Sequence, residues 1–242
     1  MEAKIYEHCK ALRLSSTFAT NAVVLDGENH QEYLIRLLKA EVIYRHEKRI
    51  NLNLKQANLD LSKTFGNYEF KDIDLPATIN QELIQDVEFL SRTENLIMYG
   101  QSGRGKTHLA TAIAIEACMQ GKKVKFFRTA ALVNELVAAK EKGTLLPMLK
   151  KLSKLDLLIC DEWGYIPFDA EGSQLLFQVI SDCYEKISLI ITTNLEFSKW
   201  NGIFYEEKLT NALIDRLVHH SHLLVFNGES HRLKDSLMKK NN

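Results

Sequence analysis

The stretch MYGQSGRGKTHLA, residues 98–110, sets the tightest limit on what this chain can fold into. Gly100, Gly103 and Gly105 stand within a few positions of Lys106 and Thr107, between an apolar run and a helical run. Glycine gives up the most conformational freedom on folding, so such a cluster is kept where the backbone must bend around something. The spacing GxxxxGK[ST] turns successive N–H groups toward one concave point, and the following helix adds its partial positive charge there. In that setting Lys106 reaches the β- and γ-phosphates of a nucleotide and the Thr107 hydroxyl ligates Mg²⁺. The candidate ATP-binding residues are Gly100, Gln101, Ser102, Gly103, Arg104, Gly105, Lys106 and Thr107, with His108 beside them.

The flanks agree with that motif. Short apolar runs at 95–100, 123–128, 156–161, 188–194 and 222–226 alternate with helical patterns over roughly 106–120, 129–153, 170–186 and 206–219. Apolar runs separated by helices imply βαβ units and a parallel sheet buried on both faces. Upstream, residues 31–58 read as a helix in which Leu34, Leu38 and Val42 recur at i+4 and Leu37 joins their face. The segment FGNYEFKDIDLPATIN lacks helical period and reads as a linker or short extended element. This divides the chain into a helical domain over 1–65 and a nucleotide-binding α/β domain over 66–242.

The third apolar run, LLICDE, ends in Asp161 and Glu162, at the carboxyl end of a strand where α/β sheets bind ligands. Asp161 holds Mg²⁺ in this reading, directly or through water. Glu162 orients and deprotonates an attacking water, which favours hydrolysis over transfer to a second substrate. Asn194 ends the fourth run and is placed to position that water. Arg216, in LTNALIDRLVHH, has Ala212, Leu213, His219 and His220 as its i±3 and i±4 neighbours and so lacks an acidic partner on its own helix face. It is either a solvated or tertiary-paired arginine or a finger toward a neighbouring subunit's γ-phosphate. Arg232 is a weaker candidate, because Asp235 three residues on offers it a local salt bridge. His219, His220 and His222 invite a metal reading, but no carboxylate or cysteine completes a ligand set nearby in the sequence, which favours a structural role.

The 31 basic and 31 acidic residues cancel, so any polyanionic partner must be met by local patches. Residues 140–154 hold five lysines against one acid; Lys150, Lys151 and Lys154 form the tightest group. In the region 36–63, Arg45, Lys48 and Arg49 share a helix face, and Glu41 lies four residues before Arg45. Both patches suit sequence-independent contact with the backbone of double-stranded DNA or are solvated faces. No run approaches the roughly 18 apolar residues of a membrane span. The N-terminus is not built as a secretory signal. Cys9, Cys118, Cys160 and Cys183 form no CxxC pair. A cytoplasmic protein is expected.

Taken together, YGQSGRGKTHLA, LLICDEWGYIPFD, IITTNLEFSKW, NALIDRLVHHSH and GESHRLK resemble the AAA+ ATPases, and within them the IstB-like helper proteins of bacterial transposons. The resemblance covers roughly residues 30–238, and DnaC-type helicase loaders are close relatives. It implies a P-loop NTPase three-layer parallel sheet with an N-terminal helical appendage. It also implies phosphate and metal contacts at Lys106 and Thr107, an acidic pair at Asp161 and Glu162, a sensor at Asn194 and a trans-acting finger at Arg216. Such proteins bind ATP with Mg²⁺, assemble on DNA as homo-oligomers and work with a transposase. Residues 227–242 are too few for the helical lid common in AAA+ proteins, so no lid-borne role is expected of Arg232. A helicase loader, a P-loop kinase of a small metabolite and a nucleotide switch with negligible turnover are the competing readings.

Overall fold

The computed structural model describes residues 2–165, 167–204 and 207–231. Three helices open the chain: α1 (Glu2–Ala11), α2 (Ser16–Val24) and α3 (His30–Ala57). The nucleotide-binding part then runs β1 (Ile73–Asp74), α4 (Gln81–Gln85), β2 (Asn95–Tyr99), α5 (Lys106–Met119), β3 (Val124–Arg128), α6 (Thr129–Glu141) and α7 (Leu145–Leu152). It continues with β4 (Leu157–Trp163), α8 (Ala170–Cys183), β5 (Ser188–Thr193), α9 (Glu207–His219) and β6 (Ser221–Phe226).

The strands form one sheet in the order β1-β6-β2-β5-β4-β3. The five longer strands pair in parallel, as the alternation of runs and helices implies, while β1 pairs antiparallel with β6 (Ile73 opposite Phe226). Side-chain alternation sorts each strand between two cores. Leu157 and Ile159 of β4 pack with Leu109, Ile113 and Ala117 of α5. Leu158 and Cys160 pack with Leu132 and Leu136 of α6, Leu176 of α8 and Leu213 of α9. Helices on both faces of a mostly parallel sheet make the three-layer α/β architecture expected. All four cysteines are free and buried; burial pushes the Cys118 thiol up to about 11 and the Cys183 thiol up to about 12, so they act as small apolar groups. Among the described residues no helix is long and apolar enough to cross a membrane.

Three expectations need correction. The helical pattern over 129–153 is two helices. Gly143 adopts φ +69° after α6, Gly143 N–H donates to Lys140 O and Thr144 N–H donates to Ala139 O. That pair of bonds is the Schellman arrangement, which closes one helix and lets the chain turn into the next. Strand β4 runs two residues past Asp161, to Trp163. Finally, the Leu34, Leu38 and Val42 stripe of α3 is exposed (51%, 49% and 67%), whereas Leu37 is 4% exposed. The face turned toward α2 is Tyr33, Leu37 and Glu41, spaced by four. Tyr33 Oη donates to Ala22 O, and Glu41 accepts from the Ser15 N–H and hydroxyl at the start of α2. Those bonds hold the Glu41 carboxyl below the usual range against the opposing effect of its burial.

The chain divides into two compact units, Met1–Leu52 and Asn53–Asn242, so the division falls inside α3 and earlier than the 65/66 boundary. The last turns of α3 belong to the second unit for a physical reason: Ala57 is fully buried in its core, and Asn53 Nδ2 donates to Lys122 O. We propose the boundary at 52/53 in place of the earlier expectation.

Ile159 of β4 has no exposed surface. Ile159→Ala should lower unfolding stability by about 2–5 kcal/mol in urea titration. A loss well under about 1 kcal/mol would mean that the core between β4 and α5 repacks freely.

Candidate nucleotide site

The loop between β2 and α5 is shaped by its glycines. Gly103 (φ +83°) and Gly105 (φ +88°) are left-handed, a conformation that costs other residues about 1–2 kcal/mol. A Cβ on Gly103 would lie 2.1 Å from Ser230 Oγ, and one on Gly105 would lie 3.2 Å from the Tyr68 ring. Lys106 Nζ donates to Gly100 O (2.5 Å) and Gln101 O (2.8 Å), so the ammonium is held at the centre of the loop by the loop's own carbonyls. Arg104 reaches across to Phe226 O and Gln101 Oε1, and His231 N–H donates to Gly103 O. The segment after β6 therefore braces the loop.

Beneath it lies Asp161, 2% exposed. Thr107 Oγ1 donates to its two carboxylate oxygens at 2.9 and 3.2 Å, and Thr192 Oγ1 donates to Oδ1 at 2.5 Å. The strand would ordinarily send Asp161 and Glu162 to opposite faces. Instead the pairing of β4 with β5 shifts register between Cys160 and Trp163, and Glu162 takes φ +58°. This bulge re-aims the Glu162 side chain into the cleft above Thr107, and β4 then resumes at Trp163 opposite Thr193. Glu162 N–H donates to Thr192 Oγ1 (3.0 Å), so one hydroxyl positions both acidic residues. Arg128 Nε stands 3.7 Å from Glu162 Oε2, an exposed pair of little energetic weight.

A cleft of about 580 Å³ gathers Ser102 to His108, Glu162, Thr192, Thr193 and Asn194, together with Lys63, Asn67, Tyr68, Glu69, Lys71, Tyr165 and His231. Asn194, one residue past β5, thus faces the same space as Lys106 and Glu162. His108 Nε2 lies 3.1 Å from Thr64 O and 3.0 Å from Asn67 Oδ1, and its ring packs on Tyr68. It fastens the 64–68 segment to α5. Burial raises the Tyr68 phenol above its ordinary range, so it stays neutral beside Gly105.

Sequence reasoning missed Thr192, Tyr68 and Arg128. Thr192 lies inside the apolar run 188–194, where a polar residue in an otherwise apolar strand is the available signal. Tyr68 lies in the aromatic linker. Arg128 carries no local sign, because only the sheet order puts β3 beside β4.

Several candidates lie outside the cleft. Arg216 is not unpartnered: its guanidinium donates to Ser181 Oγ and sits 5.1 Å from the Phe177 ring centroid, both on α8. Lys150, Lys151 and Lys154 are exposed, but α7 ends at Leu152, so Lys154 lies in the following turn and not on a shared helix face with Lys150. Arg45 is tied to Glu41 (2.7 Å) and to Arg13 O, while Lys48 leans over the Tyr44 ring and Arg49 is exposed. His222 is buried between Thr78 Oγ1 and Glu94. The fold does supply the carboxylate that the sequence withheld from the other two histidines, in Glu185. Arg232 lies outside the described residues.

A glycine-bent loop capping a helix after parallel strand β2, with an acidic pair at the end of β4 on the far side of β5, defines a P-loop ATPase with the AAA+ type of fold. The profile of the IstB-like ATP binding proteins matches residues 9–239, and the chain belongs to that family. It is 37% identical over 213 residues (87% of this chain, 84% of the relative) to the insertion sequence IS232 ATP-binding protein of Bacillus thuringiensis subsp. berliner. It is 33% identical over 248 residues (99% and 98%) to the insertion sequence IS5376 ATP-binding protein of Geobacillus stearothermophilus. In fold it is similar to the DnaC helicase loader (TM-score 0.56, 23% identity, 69% of this chain and 97% of that one). It is also similar to AMPPCP-bound DnaA from Aquifex aeolicus (TM-score 0.57, 18% identity, 76% and 55%).

Lys106→Ala should cut ATP affinity by on the order of 10²-fold or more in calorimetry, through loss of charge-assisted hydrogen bonds of about 1.5–3 kcal/mol each. Unchanged affinity would contradict the assignment of the loop.

Proposed function

We propose that this protein is the ATP-driven helper of an insertion sequence, which assembles as an oligomer on double-stranded DNA in the cytoplasm and assists a transposase. The observation that carries the reading is the division of the ATPase machinery. Lys106, Thr107, Glu162 and Asn194 share one cleft, whereas Arg216 lies against α8, outside it. An arginine so placed serves ATP hydrolysis by entering a neighbouring copy's cleft, which makes turnover depend on assembly.

The chain's own groups divide the work as follows. Loop N–H groups and Lys106 hold the phosphates, Lys106 exchanging the carbonyls of Gly100 and Gln101 for phosphate oxygens. Glu162 accepts the proton of the attacking water, and Asn194 orients that water. Thr107 Oγ1 and the Asp161 carboxylate, 2.9 Å apart, are a pair of hard oxygen donors that fits Mg²⁺, and they would hold it. When bound, Mg²⁺ neutralises charge on the phosphates. Thr192 keeps Asp161 and Glu162 in register with one another.

DNA contact falls to exposed basic groups. None of Lys150, Lys151 and Lys154 forms an ion pair among the described residues, whereas Lys140 is engaged by Glu171. With Arg45 engaged by Glu41, the N-terminal patch is the weaker candidate. The exposed Leu34, Leu38 and Val42 stripe beside it suits transposase docking. The DnaC likeness is one of fold, and the relatives at 33–37% identity are insertion-sequence proteins, which supports the transposon reading over helicase loading.

Glu162→Gln should bind ATP yet turn over about 10²–10⁴-fold more slowly. Arg216→Ala should also bind ATP and lose up to about 10³–10⁵-fold. Mixing the two should partly restore phosphate release, since each supplies what the other lacks. Absence of rescue, with turnover independent of protein concentration, would rule out a shared site.

Changing Lys150, Lys151 and Lys154 together to Gln should weaken binding to all DNA sequences equally. The slope of log affinity against log salt should become shallower by up to about 0.9 per lost phosphate contact. An unaltered slope would reduce the cluster to a solvated face.

A further inference from the structure

At the far ends of α8 and α9, away from the nucleotide cleft, the fold gathers Glu185, His219 and His220. Their ligand-capable atoms all lie within 4.8 Å of one another, the one such group of three among the described residues. His220 Nε2 stands 3.1 Å from Glu185 Oε1, and the two histidine rings meet edge to face at 4.5 Å. Glu185 comes from the turn after α8 and the histidines from the end of α9, so proximity in sequence does not explain the cluster. We propose that Glu185, His219 and His220 form a binding site for a divalent transition-metal ion of the Zn²⁺ type.

The chemistry of the donors supports this choice. Two imidazoles and one carboxylate are the ligand set of borderline ions such as Zn²⁺, which binds them at about 2.0–2.2 Å. Tetrahedral ligands at that radius stand about 3.3 Å apart. The cluster must therefore tighten, and side-chain rotation suffices because Glu185 and His219 are exposed. Tyr184 Oη lies 3.1 Å from His219 Nδ1 and fixes that ring, leaving its other nitrogen for the ion; such a partner is what orients imidazole ligands in metal centres. The fourth position is open to solvent. Bound metal would staple α8 to α9, the same pair of helices that Arg216 and Ser181 connect.

The test uses the full chain stripped of metal, titrated with Zn²⁺ against a chromophoric chelator in excess Mg²⁺, which would compete for the hard oxygen donors Thr107 and Asp161. One saturable equivalent is expected, with tetrahedral Co²⁺ absorption when Co²⁺ replaces Zn²⁺. Glu185→Gln and His219→Ala should each weaken it by at least the about 10–100-fold that loss of an outer-shell partner costs. Asp161→Asn should leave it intact. Zn²⁺ should raise the melting temperature of the wild type but not of the Glu185→Gln/His219→Ala/His220→Ala variant. The proposal fails if the wild type shows no saturable equivalent, if the equivalent survives in the triple variant, or if it disappears in Asp161→Asn.

Discussion

One buried carboxylate ties the site to the sheet. Asp161 sits on β4 almost without solvent, and its charge is met by two hydroxyls, Thr107 from α5 and Thr192 from β5. A buried charge left without partners costs several kcal/mol, so these bonds fix where the first turn of α5 stands relative to the sheet. The phosphate loop is the lead-in to that turn. Its geometry is thus referenced to β4 through Asp161, and the backbone carbonyl of Asp161 is in turn held by buried Thr129 at the start of α6. Three helix starts and strand ends meet at one residue.

Thr192 extends the same logic to Glu162. Its hydroxyl donates to Asp161 and accepts from the Glu162 N–H, which steadies a backbone conformation that L-residues seldom adopt. The bulge at Glu162 is therefore supported from the neighbouring strand. A carboxylate carried by a regular strand would alternate away from the phosphates.

Much of this was legible in the sequence, and the limits have physical causes. Buried parallel strands read as continuous apolar runs, so β2 to β6 were placed within a residue or two. The phosphate motif is local and was read whole. Features decided by tertiary pairing were not: the antiparallel β1 has two residues, the bulge depends on the register of β4 with β5, and Arg128 meets Glu162 only through sheet order. The apolar stripe Leu34, Leu38 and Val42 had the right period, but its neighbouring face won because Glu41 could be satisfied there by Ser15. Glu185 joins His219 and His220 across more than thirty positions, beyond the reach of spacing rules.

The short strand β1 has a consequence for how copies of this chain can meet. Parallel strand β6 would otherwise end the sheet with a row of open N–H and C=O groups, a template onto which another molecule's strand could add. Ile73 and Asp74 cover its outer end, Asn227 bonds back to Asp72 and Asp74, and Thr78 closes on His222. Being two residues long, β1 offers almost no template of its own. The opposite edge strand, β3, carries Lys125 and Arg128, charges that discourage the same event. Both edges of the sheet are thereby guarded against strand addition, which leaves helices and loops as the surfaces through which this fold can meet another molecule.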